Sequence, residues 1–197
     1  LKVLARLHPD YQQQVERFIK RDPLRLHRLR LDLARLRRWS REYLDLLRLY
    51  PLWLSLTEAV PSVRLDPARR RTTEILHPRR VHDRLYRRTI EIRDAVLTRS
   101  DHAPSSLRDQ ARAHVVASGL IGAQADVAAE ACWIIGAQQA RQHNEPLSGE
   151  ALPPASGGRD LPSEIHALKQ LAEAYASDLT RAFAAKLDDA RTLETTQ

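Results

Sequence analysis

The chain has 197 residues, 43% of them hydrophobic and only 5% aromatic, so one leucine- and alanine-filled domain, with or without an arm, is the expected scale. The single cysteine, Cys132, excludes an intrachain disulfide and a cysteine metal cluster, and no apolar run approaches the roughly 18 residues that would cross a bilayer. The net charge of +7 is one-sided: residues 1–100 carry 24 Lys/Arg against 12 Asp/Glu, whereas 101–197 carry 8 against 13, the pattern of an interaction surface and not of a uniformly basic protein.

Residues 9–21 predict a short helix with Tyr11, Val15, Phe18 and Ile19 on one side. Asp22-Pro23 then starts another, with an N-cap carboxylate before a proline at the first position. From Leu24 to about Leu49, residues Leu26, Leu29, Leu33, Leu36, Ser40, Tyr43, Leu47 and Tyr50 recur three and four apart, a heptad seam with one polar gap. Arg28, Arg35, Arg38, Arg41 and Arg48 lie off that seam. Three readings compete: a seam packed inside the domain with solvated arginines, a coiled coil giving a homodimer, and a helix on an anionic membrane surface or phosphate ligand. Pro51 should kink or restart the helix, and a short amphipathic segment follows to Pro61. Residues 61–77 read as a loop, with one further turn near Ile75 and an arginine triplet at 69–71.

Pro78 to Arg99 forms the central charged helix, with Pro78 suited to its first position. Val81, Leu85, Thr89, Ile92 and Val96 make its seam, and Tyr86 and Ile90 are expected to widen it. Arg84 and Arg88, four apart, repel, so one of them should be neutralised from outside the local turn. A tertiary carboxylate such as Glu58 or Glu91 would do this, and so would an anionic ligand.

After a break at Ser100–Pro104, Ser105 or Ser106 caps a helix with Leu107, Ala111, His114, Val115 and Ser118 on one face. Gly119 ends it as a left-handed cap. Residues 123–142 are the most apolar helix, with Val127, Ala128, Ala131, Ile134, Ile135 and Gln138 inward and Trp133 on the flank. Cys132 within it reads as a buried structural thiol. Residues 144–160, rich in Pro, Gly, Ser and Ala, read as a flexible linker. One last helix begins at Leu161-Pro162-Ser163-Glu164, with a seam of Ile165, Leu168, Ala172, Tyr175, Leu179 and Ala182.

No motif spells a reaction. There is no G-x-G-x-x-G, P-loop, G-x-S-x-G or H-E-x-x-H. The histidines are scattered, and His77 and His82 fall on different helix faces. No catalytic residue, metal ligand or cofactor is expected. The basic half lacks a helix-turn-helix, zinc ligands or aromatic stacking motifs, which makes nucleic acid the less favoured partner.

L-Y-P-L-W at Leu49–Trp53, L-T-E-A-V-P at Leu56–Pro61, R-L-Y-R-R-x-x-E-I-R-D at Arg84–Asp94 and A-S-G-L at Ala117–Leu120 together resemble the soluble C-terminal domain of an actinobacterial family of multi-pass membrane proteins labelled as transporters. That domain is of unknown function. The likeness covers roughly 49–140, with a weaker echo in 160–185. Its motif residues here are Trp53, Glu58, Arg84, Tyr86, Arg87, Glu91, Arg93 and Asp94. The resemblance implies that the absence of methionine and the start at Leu1 reflect a chain that follows membrane helices, with the basic arm just cytoplasmic of the last span.

The expectation is therefore an all-α single domain of about six or seven helices: a basic arm at 1–50, a helical core at 51–143, the linker at 144–160, and a C-terminal helix at 161–197 packed on the core. The central helix should pack on the 123–142 helix and the last one. Its expected role is a non-enzymatic cytoplasmic interaction or regulatory domain whose partner is its own transmembrane region or another protein. The alternatives are a nucleic-acid-binding or transcription-regulatory module, and an enzyme whose site the sequence does not display.

Overall fold

Every regular element in the computed structural model is helical; it describes residues 10–21, 25–65, 71–76, 78–100, 105–143 and 158–195. The fold is all-α. The chain divides into two units, 1–41 and 42–197.

The first unit contains α1 (Tyr11–Arg21) and the beginning of α2 (Arg25–Ala59). Phe18, on the apolar side of α1, is exposed. Along α2, Leu29, Leu33 and Leu36 are about half exposed. The capping role expected of Asp22-Pro23 lies outside the described residues.

The second unit begins inside α2, so residues 42–50 belong with the core. Leu46, Leu49, Tyr50, Leu52, Trp53 and Leu56 are all buried. Pro51 does not end the helix, which runs through it to Ala59. The reason is energetic. An interior proline costs about 3 kcal/mol, but each large apolar side chain buried around it returns roughly 1.5–3 kcal/mol. Pro51 itself faces outward.

A 3-10 turn at Pro61–Val63 and the six-residue α3 (Arg71–Leu76) follow. The latter is the extra turn expected near Ile75, tied back by the Tyr43 hydroxyl, which donates to the Ile75 carbonyl at 2.5 Å. Arg69 and Arg70 lie outside the described residues. The central helix α4 spans Val81–Ser100, three residues later than Pro78 suggested. Arg80 precedes it in the left-handed region at φ 51°, and its carbonyl accepts from the Arg84 amide at 3.0 Å. Val81 is the first residue here to enter the core, and 78–80 are exposed, so nothing apolar holds them in a helix. Val81, Leu85, Thr89, Ile92 and Val96 are buried as the seam requires, but Tyr86 is 52% exposed and Ile90 37%, so neither widens it.

Helix α5 (Ser105–Ala117) turns into α6 (Gly122–Gln142) through Gly119, whose φ of 84° is the left-handed cap. Helix α6 packs on α4, α5, α7 (Leu161–Tyr175) and α8 (Asp178–Thr195). It can do so because most of its buried residues are small: Ala128, Ala131, Cys132, Gly136, Ala137 and Ala140. A Cβ on Gly136 would lie 2.8 Å from the Leu107 Cδ1 of α5 and 3.0 Å from the Leu187 Cδ1 of α8. Trp133 is buried, not flanking. Helix α4 also packs on α7, as expected of the last helix.

The single C-terminal helix expected from the seam is two helices. Ser177 breaks it: its hydroxyl accepts from the Thr180 amide at 3.3 Å, an N-cap for α8. The buried Thr180 hydroxyl donates to the Ala174 carbonyl at 2.8 Å, closing the end of α7. Residues 144–157 of the expected linker lie outside the described residues. Beyond them Asp160 and Ser163 form a capping box for α7, with each side chain accepting from the other's amide at 2.9 and 3.1 Å.

Candidate functional site

Two polar clusters sit inside the second unit. The first is built on α2 and α4 around Trp53. Its indole Nε1 donates to the Glu91 Oε2 at 2.5 Å, and the Leu65 amide donates to Glu91 Oε1 at 3.0 Å. The Arg88 guanidinium lies 4.7 Å from the Trp53 ring centroid and 5.3 Å from that of Tyr50. The Arg64 guanidinium also lies over the Trp53 ring, at 5.3 Å, and its Nε donates to the Thr57 hydroxyl at 2.8 Å. Arg88 is only 4% exposed and donates to the Leu46 carbonyl at 2.6 Å. Burial pulls its pKa down to about 10, with Arg84 adding to the fall and Glu91 and Tyr50 opposing it. The repelling arginine pair is therefore resolved by Arg88 turning into the core, where Glu91 supplies the counter-charge and two aromatic faces the rest. Glu58 is exposed and belongs to neither cluster.

The second cluster joins α4, α6 and α7. Arg93 Nε donates to Glu164 Oε1 at 2.5 Å, and Arg93 Nη1 lies 3.6 Å from Glu130 Oε1, an ion pair beyond hydrogen-bond reach. The other Glu164 oxygen accepts from the Gly158 amide. Burial pushes the Glu130 carboxyl above its usual range against the pull of Arg93 and Arg108. Beside it, a cavity of about 390 Å³ between α5 and α6 is lined by Arg108, Glu130 and Trp133, among others. Arg108 sits 4.3 Å above the Trp133 ring.

Of the eight motif residues singled out, the structure brings Trp53 and Glu91 together in the first cluster and puts Arg93 in the second. Arg84 is half-buried, and Tyr86, Arg87 and Asp94 are exposed on α4. Arg28, Arg35, Arg38 and Arg41 are exposed in the first unit. Arg48 belongs to the second, where Asp45 lies 3.8 Å from it and 2.9 Å from Lys169. Arg48, Lys169 and Arg181 border a second cavity of about 510 Å³ with a largely apolar floor. The sequence reading missed Arg64 in the first cluster, and Glu130, Glu164, Arg108 and Trp133 in and beside the second. One signal was present: Glu130 is the lone charge in the apolar run V-A-A-E-A-C-W.

Among the described residues, no three His, Cys, Asp or Glu side chains come together as a metal site, and no helix is long and apolar enough to cross a membrane. Cys132 is buried, and that burial raises its thiol pKa.

Residues 38–177 match the family model of a family of unknown function, DUF6545. The chain belongs to this family. The DUF6545 region contains both polar clusters and reaches beyond the 49–140 stretch that carried the resemblance on each side. It takes in α2 from Arg38 onward and ends at Ser177, the residue that separates α7 from α8. No curated protein and no solved structure matches the chain.

Proposed function

We propose that this DUF6545 chain is a non-enzymatic interaction or regulatory domain of an actinobacterial membrane protein, working at the cytoplasmic face against anionic lipid. The observation that carries the reading is on α2 within the first unit. Residues 25–41 hold seven arginines against one acid, Asp32. On the same stretch Leu29, Leu33 and Leu36 stand about half exposed, and Trp39 is 38% exposed. An apolar stripe flanked by cations, about 25 Å long, suits the boundary between headgroups and acyl chains. Each basic residue near an anionic surface contributes about 1 kcal/mol. Arg28, Arg35, Arg38 and Arg41 are the proposed contacts. The family resemblance supports the membrane context, and arginine in place of lysine is the usage that GC-rich coding produces.

Co-sedimentation of the whole chain with vesicles tests this. Vesicles of phosphatidylcholine with phosphatidylglycerol should pull the protein down at low salt, and pure phosphatidylcholine should not. Arg35, Arg38 and Arg41 changed together to Gln should weaken binding by about 3 kcal/mol, more than a hundredfold. Equal behaviour with both vesicle types overturns the reading.

A further inference from the structure

The leucine stripe at the beginning of α2 keeps the phase of a coiled-coil seam. Leu29, Leu33 and Leu36 stand four and three apart, and Ser40 takes the next step. Beyond residue 41 the same register is covered from within the chain, where Tyr43 and Leu47 are half-buried and Tyr50 is buried. In the first unit its leucines are about half exposed.

The charges beside the seam carry a direction. With Leu29 and Leu36 at d and Leu33 and Ser40 at a, Asp32 falls at g, and Arg30 and Arg37 fall at e. In a parallel pair of helices, each g residue faces the e residue five positions later on the other copy. Asp32 is the single acid between residues 25 and 41, and it stands five before Arg37. A parallel pair therefore sets Asp32 of each copy against Arg37 of the other, on both flanks. Within its own chain Asp32 lies 3.8 Å from Arg35, an exposed pair beyond hydrogen-bond reach, so it gives up little by turning to Arg37. Antiparallel pairing sets e against e and brings Arg30 to Arg37, like against like. One repulsive pair remains in the parallel sense, between Arg25 at g and Arg30 at e, and it keeps the affinity modest. Arg28 and Arg35 fall at c, Arg38 at f and Arg41 at b, on the outer side of such a pair.

We propose that two copies of this chain pair in water through residues 29–40 of α2, as a parallel two-stranded coil bridged by Asp32 and Arg37. The pairing is a property of the chain without lipid and does not depend on the lipid contact. It covers the leucines and leaves the outer arginines in place, so a membrane and a second copy compete for the same stripe. Sedimentation equilibrium of the whole chain without lipid tests it, and should show a monomer–dimer equilibrium with a Kd of roughly 10–100 μM. Leu33→Glu and Asp32→Arg should each weaken the dimer about tenfold or more. Adding Arg37→Asp to Asp32→Arg should restore it, whereas adding Arg38→Asp, which gives the same net charge, should not. The four changed positions are exposed, so every variant should keep the wild-type melting curve. A monomer at every concentration overturns the proposal. So does a dimer that Leu33→Glu leaves intact, or one that Arg38→Asp restores as well as Arg37→Asp does.

Discussion

Trp53 and Glu91 stand 38 positions apart in the chain and are joined by one buried hydrogen bond from indole to carboxylate. That bond fixes α2 against α4, and the second Glu91 oxygen holds the Leu65 amide at the start of the next segment. Removing the donor alone, by Trp53→Phe, leaves a carboxylate oxygen unpaired in the core and should lower stability by about 2 kcal/mol. Removing the charge, by Glu91→Gln, strips the counter-charge from Arg88 and should cost about 3 kcal/mol. Urea denaturation of the two variants checks both the direction and the order.

Arg88 should tolerate lysine poorly. Lysine keeps the positive charge but lacks the planar guanidinium that lies over both Tyr50 and Trp53. Arg88→Lys should lose about 1–2 kcal/mol, and its thermal midpoint should fall while Arg87→Lys, on the exposed face of α4, leaves the midpoint in place.

The raised pKa of Glu130 carries a pH dependence. Its carboxyl ordinarily titrates near 4.5, and in the fold it titrates higher because burial penalises the charge. The folded state therefore holds the proton more tightly than the unfolded chain does. Glu130's contribution to stability is complete below pH 4.5 and is lost as pH rises through its elevated folded value. Glu130→Gln cannot ionise, so it should be no less stable than wild type at pH 7, and the difference between the two should shrink toward pH 4.5. Denaturation midpoints of both proteins across that range provide the comparison.

The α7–α8 corner should depend on Ser177 and Thr180. Ser177→Ala removes the acceptor for the Thr180 amide and should cost about 1 kcal/mol. Thr180→Val keeps the shape but removes one of the two donors to the Ala174 carbonyl, which still accepts from the Ser177 amide at 3.1 Å, and should cost about 1 kcal/mol. If the two helices were merely a bent single one, neither change would move the melting temperature.

Gly136 should reject any branched side chain. A first carbon there already meets leucines from two neighbouring helices. Gly136→Val should destabilise by about 3 kcal/mol through overpacking. Gly136→Ala should fall near zero, since a helical alanine is worth about 1 kcal/mol over glycine and the opposing groups are flexible leucine ends.

Much of this architecture was legible in periodicity. The seam of α4, the apolar run of α6 and the Gly119 cap all follow from spacing and from what glycine alone tolerates. Three kinds of feature were not. Pro51 read as a break because local propensity says so, and the burial on either side of it is visible only once the helices are packed. The seam from Ile165 to Ala182 ran straight across residue 177, although Ser-Asp-Leu-Thr carries its own capping chemistry. The spacing of Arg84 and Arg88 called for neutralisation from outside, with Glu91 as one candidate, but not for Arg88 to be the one buried, because the aromatic pair that covers it lies one helix away. The cavity was illegible for the same reason: Arg108 and Glu130 meet through the angle between two helices, which no spacing records.

The chain's three tryptophans occupy three separate settings: Trp39 partly exposed in the first unit, Trp53 beneath two guanidinium groups, and Trp133 under Arg108. The molecule thus carries a built-in optical reporter for each of its regions. With the other two replaced by phenylalanine, the emission colour of a single remaining indole would distinguish lipid contact at residue 39 from rearrangement at 53 or 133, without any attached dye.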